Sequence, residues 1–196
     1  MLIGFVLGIV FSIVVAVVGA FLTIISGWIP ANADAKPGWL EKYAAHNSLR
    51  ATLAAAAPKG PNPVAATDAN LIEGVHLYAA HCAICHGSAK GKSAESAIAK
   101  GEYPEPPQLA SNGVEDDPQG WTFWRIQHGI RWTGMPAWKY ELDDRQIWTL
   151  ALFLKHMDKL PPAAETAWQA VPEPTPAAAE APAAPATAPN PSAGKG

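Results

Sequence analysis

Cys82 and Cys85 stand two residues apart and His86 follows at once, a C-x-x-C-H arrangement that concentrates the reactive side chains of a 196-residue chain in one place. Two thiols at that spacing match the two vinyl groups of a haem. The histidine directly after the second cysteine lies under the iron and offers an imidazole nitrogen as proximal ligand. Gly87 lets the backbone leave past the porphyrin edge without a Cβ. Two plainer readings compete. A C-x-x-C also serves as a redox dithiol, but no βαβ pattern surrounds this one. Half of a zinc site, completed by His76, His81 or His86, is the other. The chain holds only these two cysteines, too few for a disulfide framework.

A sixth ligand is offered by Gly134-Met135-Pro136, 49 residues beyond His86. A thioether is a soft, neutral ligand that favours reduced iron and raises the potential. Pro136 keeps Met135 out of α geometry, so the loop stays extended, and Gly134 lets it pack close. Met157 reads instead as a core side chain on the terminal helix. His128 is the rival distal ligand and implies a lower potential. With His86 and Met135 both on the iron, no position is left for substrate and only an electron moves. Catalysis or gas sensing requires Met135 to be off the iron. The sequence offers no catalytic triad, phosphate loop or pair of carboxylates placed for acid–base work.

Stepping outward from these residues, the chain divides into four pieces. Residues 1–30 read as a transmembrane anchor, because the 28 residues from Leu2 to Ile29 contain no Asp, Glu, Lys, Arg or His. About 20 apolar residues suffice for a helix to cross a bilayer. Trp28 suits the interface and Pro30 is expected to stop the helix. A cleaved signal peptide is the competing reading, with Ala31-Asn32-Ala33 as its site. The apolar run is longer than such leaders use, and no Lys or Arg precedes it. Residues 31–67 form a connector. Within it, Trp39 to Ala57 has helical composition and Pro58 to Pro63 reads as a stiff linker, a spacer between anchor and domain. Residues 68–160 form the folded domain. Residues 161–196, dominated by alanine and proline, read as a disordered or polyproline-like tail.

The domain from Asp68 to Leu160 resembles class I cytochromes c, over about half the chain. Leu71, Gly74, Leu77 and Tyr78 before Cys82 resemble that family's N-terminal helix, where glycine permits a close crossing. Trp121 to Met135 resembles the stretch leading to the methionine ligand, and Asp143 to Met157 the C-terminal helix. Tyr103-Pro104-Glu105-Pro106-Pro107 resembles the haem-edge loop. The last helix is legible without the family: Asp143 and Gln146 form a capping pattern, and Ile147, Leu150, Ala151 and Leu154 recur at helical spacing. The expected crossing sets Gly74 and Tyr78 against Trp148 and Leu152. Arg131 and Trp132 are donors that reach towards a haem propionate in one reading and lie on the surface in the other.

The resemblance and the residues together imply an all-α domain around one covalently attached haem c. Its cofactor-binding residues are Cys82, Cys85, His86 and Met135, the last two as iron ligands. The expected role is electron transfer between redox partner proteins, alone or as a subunit of a larger oxidoreductase complex, and not catalysis by this chain. Haem is attached to thiols outside the cytoplasm. That places a single-pass protein in the inner membrane, with lipid around residues 2–29 and the haem domain on the periplasmic side. Gly4, Gly8, Ser12, Ala16 and Ala20 recur every four residues, a stripe suited to close helix packing in lipid and equally to a passive tether. A formal net charge of -3 offers no basic field for nucleic acid.

Overall fold

The uncharged N-terminal run forms one continuous helix, α1 (Leu2–Ile25). In the computed structural model, which describes residues 2–89 and 96–173, none of this helix is buried against the rest of the chain. Its hydroxyls turn back on its own backbone. Ser12 Oγ donates to the Gly8 carbonyl at 2.9 Å and Thr23 Oγ1 to that of Gly19 at 2.8 Å. Such bonding removes polar groups from an apolar surround. The helix ends before Pro30, because Gly27 adopts a left-handed φ of 74° that an α-helix cannot continue through. Pro30 therefore follows the stop and does not cause it, and Trp28 lies just beyond the helix, 80 % exposed.

The connector holds α2 (Trp39–Ala56), ended by Ala57 in extended geometry before Pro58. After the linker come α3 (Asp68–His81), the single-turn α4 (Ala83–His86), α5 (Ala97–Gly101), α6 (Gln119–His128), a 3-10 turn at Trp138–Tyr140, α7 (Asp144–His156) and α8 (Pro162–Gln169). No strand occurs among the described residues, so the fold is all-α. Thr67 caps α3 by accepting from the Asn70 amide. Asp143 and Gln146 cap α7 reciprocally, at 2.8 and 2.9 Å.

The core lies where α3 crosses α7, with α6 and α8 on either side. Val75, Tyr78, Ile147, Leu150, Ala151 and Phe153 are fully buried there. The crossing differs from expectation by one position. Gly74 meets Phe153 and the Thr149 carbonyl. Trp148 turns the other way and stacks on Phe123 of α6, with ring centroids 4.3 Å apart. Leu152 packs with Leu71 and Ala164 in a satellite cluster.

Two boundaries are corrected. The domain does not stop at Leu160, because Ala164, Trp168 and Val171 are buried and the Trp168 ring meets both Tyr78 and Phe153 edge-on at 5.3 Å. A run expected to be disordered thus begins with α8, whose few apolar side chains complete the core. The expected disorder of residues 174–196 lies outside the described residues. The connector is likewise more than a spacer. Leu53 and Ala57 are buried, and the Pro58 carbonyl sits where a Gly120 side chain would be. Asn62 Nδ2 donates to Gln119 Oε1 at 2.6 Å and to the Trp148 carbonyl at 3.0 Å, fastening the linker to α6 and α7.

Candidate cofactor site

α3 delivers the two cysteines. Its last turn continues through Cys82, whose amide donates to the Tyr78 carbonyl at 2.8 Å, into α4. The buried Tyr78 hydroxyl donates to the carbonyls of His86 and Gly87 at 3.1 and 2.9 Å, which locks the attachment turn to the core. Gly87 closes α4 at φ 78°, a conformation that favours glycine. Neither thiol is in a disulfide, and both are partly buried. Burial, with the neighbouring Cys85, pushes the Cys82 thiol up to about 12. Burial, with a hydrogen bond to Glu102, does the same to Cys85.

The ring of His86 is oriented by the proline loop. Its Nδ1 lies 2.9 Å from the Pro107 carbonyl. A carbonyl only accepts, so Nδ1 carries the proton and Nε2 keeps its lone pair. Burial holds the imidazole below its ordinary pKa, outweighing that hydrogen bond and the Glu102 charge. Burial thus favours the neutral imidazole, the form that metal ligation requires.

Met135 arrives from the other side on the loop after α6. Gly129 ends that helix at φ 67°, and the chain returns so tightly that a Cβ there would lie 2.6 Å from the Met135 carbonyl. The Ile130 amide donates to that same carbonyl at 3.3 Å. Thr133 Oγ1 donates to the Ile130 carbonyl at 2.7 Å and accepts from the Met135 amide at 3.1 Å. The loop is thus fixed from both its ends.

Cys82, Cys85, His86 and Met135 line one cleft of about 300 Å³. Its remaining walls are largely apolar, with Leu109, Val114, Ile126, Ile130, Trp138 and Leu154 among them. Pro104 to Pro107 also line it, and with Pro104, Glu105 and Pro107 exposed they form its rim. Two thiols, a neutral imidazole and a thioether facing one apolar cleft fit a covalently held haem. His128 is exposed against Trp124 and does not line the cleft. Met157 is buried in the core, as expected.

Arg131 and Trp132 are both exposed and neither lines the cleft. The guanidinium that does is Arg125, held 2.6 Å from Asp117. It sits on α6 directly after Phe123 and Trp124, and nothing in the sequence distinguishes it from a surface cation. Glu102 is a second unforeseen neighbour. It accepts from Cys85 Sγ at 3.1 Å and approaches Gly134, so one carboxylate spans the attachment turn and the Met135 loop.

Helices around such a cleft define a c-type cytochrome domain, with covalent haem c as its cofactor and electron transfer as its role. Residues 69–154 match the family described as cytochrome C oxidase, cbb3-type, subunit III. No curated protein and no solved structure matches the chain.

Proposed function

We propose that this chain is a membrane-anchored, monohaem electron carrier in which His86 and Met135 bind the iron and Cys82 and Cys85 form the thioethers. The observation that carries the reading is the convergence of these four side chains on one apolar cleft from two separate segments, the α3–α4 turn and the loop after α6. When bound, haem c supplies a one-electron couple. The protein supplies the rest. Tyr78 and Pro107 fix the proximal turn and the imidazole, and the hydrogen bonds of Thr133 fix the distal loop. Arg125 is the cation available to a propionate at the cleft wall.

α1 is the membrane anchor in this reading, supported by its length and by the absence of any buried face. The haem domain then lies on the periplasmic side of a bacterial inner membrane, since thioethers are made outside the cytoplasm. The family match supports membership of a membrane redox complex that receives or passes the electron. The Gly4, Gly8, Ser12, Ala16 and Ala20 stripe, which meets none of the other described residues at its glycines, is the surface offered to such a partner in the lipid.

Spectroscopy tests the ligand set. The purified ferric protein is expected to show one haem per chain by pyridine haemochrome and the weak long-wavelength band of thioether-ligated iron. Met135→His keeps the covalent haem but removes that band and lowers the midpoint potential. An unchanged potential overturns the assignment of Met135.

A further inference from the structure

α2 is fixed to the haem domain at both ends, yet its first turn presents bare apolar side chains. At its C-terminal end Leu53 and Ala57 are buried, and the Pro58 carbonyl locks against Gly120 of α6. At its N-terminal end Glu41 accepts a hydrogen bond from the hydroxyl of Tyr103, the first residue of the haem-edge loop. Around the Glu41 tie Trp39, Leu40 and Tyr43 are 78 %, 61 % and 65 % exposed.

Their placement is not random. At about 100° per residue, Trp39, Tyr43 and Leu40 fall within an arc of about 100°, and Glu41 points to the opposite side, where Tyr103 holds it. Lys42 flanks the arc on one edge. The domain therefore grips the acidic side of the turn and leaves the aromatic side open. Only residues 26–38 separate this turn from the end of α1, and they carry the exposed Trp28 and Ile29 together with Lys36.

We infer that the first turn of α2 is a second membrane contact, in which Trp39, Leu40 and Tyr43 enter the lipid headgroup boundary and hold the mouth of the haem cleft against the bilayer. The inference rests on the reading of α1 as a membrane helix. Trp and Tyr favour that boundary because one end of each ring is apolar and the other hydrogen-bonds to water. Lys36 and Lys42 bury their stems beside them and present ammonium groups to anionic lipid. Three side chains alone bind a bilayer weakly. The anchor makes the contact intramolecular and raises its effective concentration. Because Glu41 and Tyr103 join that turn to the haem-edge loop, the cleft rim at Pro104–Pro107 is then set beside the lipid, and an electron partner must be reached at the membrane surface.

The test uses the full-length holoprotein in vesicles of phosphatidylcholine and phosphatidylglycerol, with Tyr43→p-benzoylphenylalanine as photo-cross-linker. Irradiation followed by mass spectrometry of the peptide 43–50 is expected to show phospholipid adducts about ten-fold above those formed by the same label at exposed Asn112. In parallel, trypsin should cut after Lys42 slowly in vesicles, and about ten-fold faster when Trp39, Leu40 and Tyr43 are all serine, with cleavage after Lys59 unchanged. Adducts to protein alone, or lipid adducts no greater than at Asn112, overturn the inference. Alkaline carbonate extraction separates the two readings. Release of the whole chain defeats the anchor itself, whereas a retained chain without lipid adducts defeats only the contact at α2.

Discussion

Gly74 of α3 and Phe153 of α7 touch with no space for a side chain between them: a Cβ on Gly74 would lie 2.5 Å from Phe153 Cβ and 2.9 Å from the Thr149 carbonyl. The nearer atoms are the Cβ of a fully buried phenylalanine and a helix backbone oxygen, so neither can swing aside. Gly74→Ala is therefore expected to destabilise the holoprotein by about 1–3 kcal/mol, the usual cost of forcing an extra group into a packed core. Denaturant titration followed by haem absorption measures it. An unchanged midpoint means that α7 shifts freely and the crossing is not tight.

The same core predicts that the segment after Leu160 is needed. Trp168 is 4 % exposed and contacts Tyr78, whose hydroxyl holds the attachment turn. Trp168→Ala should cost about 3–5 kcal/mol. A chain ending at Leu160 should lose at least as much. Thermal melting followed at the haem band distinguishes this from a dispensable tail, which would leave the midpoint in place.

Trp132 makes the opposite prediction. It is the non-glycine residue with a left-handed φ, 67°, among the described residues, and it is 86 % exposed. A bulky side chain in that region costs about 1–2 kcal/mol, and this one recovers little by burial. Trp132→Gly should therefore leave the haem spectrum intact and, after glycine's extra chain entropy is deducted, raise stability by up to about 1 kcal/mol. A fall in stability shows that the ring packs on something in the holoprotein.

Arg145 grips Glu73 with both terminal guanidinium nitrogens, at 2.7 and 3.0 Å, joining α7 to α3 on the surface. The hydrogen bond from Arg145, then its charge, hold the Glu73 carboxyl below its ordinary 4.5. The folded value is thus lower than the unfolded one. The pair's contribution is complete above pH 4.5 and disappears as pH falls through the lowered folded value. Both side chains are more than a third exposed, so the effect is small and shrinks in salt. Unfolding free energy measured against pH should show a shallower acid limb in Glu73→Gln. Identical limbs mean that the pair is decorative.

The ease of reading these elements from sequence followed the density of signal in each. α7 announced itself through its reciprocal cap and its apolar spacing, and Cys82, Cys85, His86 and Met135, named from motif alone, line a single cleft. Periodicity identifies a buried face but not the neighbour that covers it. Trp148 and Phe153 are both large and five residues apart, yet one serves α6 and the other α3. α8 was hidden because one tryptophan and a few alanines among prolines look like a solvated tail until a core with a matching vacancy is known. The docked connector was hidden for a related reason, since Asn62 and Gly120 acquire meaning only from each other's surroundings.

Gly129 offers the sharpest test of the distal side. Its φ of 67° is strained for any other residue, and its missing side chain is replaced by the chain itself, with the Met135 carbonyl 2.6 Å and the Pro136 carbonyl carbon 2.7 Å from where a Cβ would be. Those neighbours are backbone of the loop that carries the thioether. Gly129→Ala must therefore move the loop, whereas α3, α4 and the proximal turn lie on the other wall and keep their contacts. The expected variant retains covalent haem and a normal pyridine haemochrome. On the proposed ligation by Met135, it loses much of the long-wavelength thioether band and its midpoint potential falls, since iron without a soft neutral ligand favours the oxidised state. Comparison with Met135→His fixes the interpretation. A Gly129→Ala protein that melts lower but keeps the band and potential of the parent shows that Gly129 serves stability alone and does not position Met135.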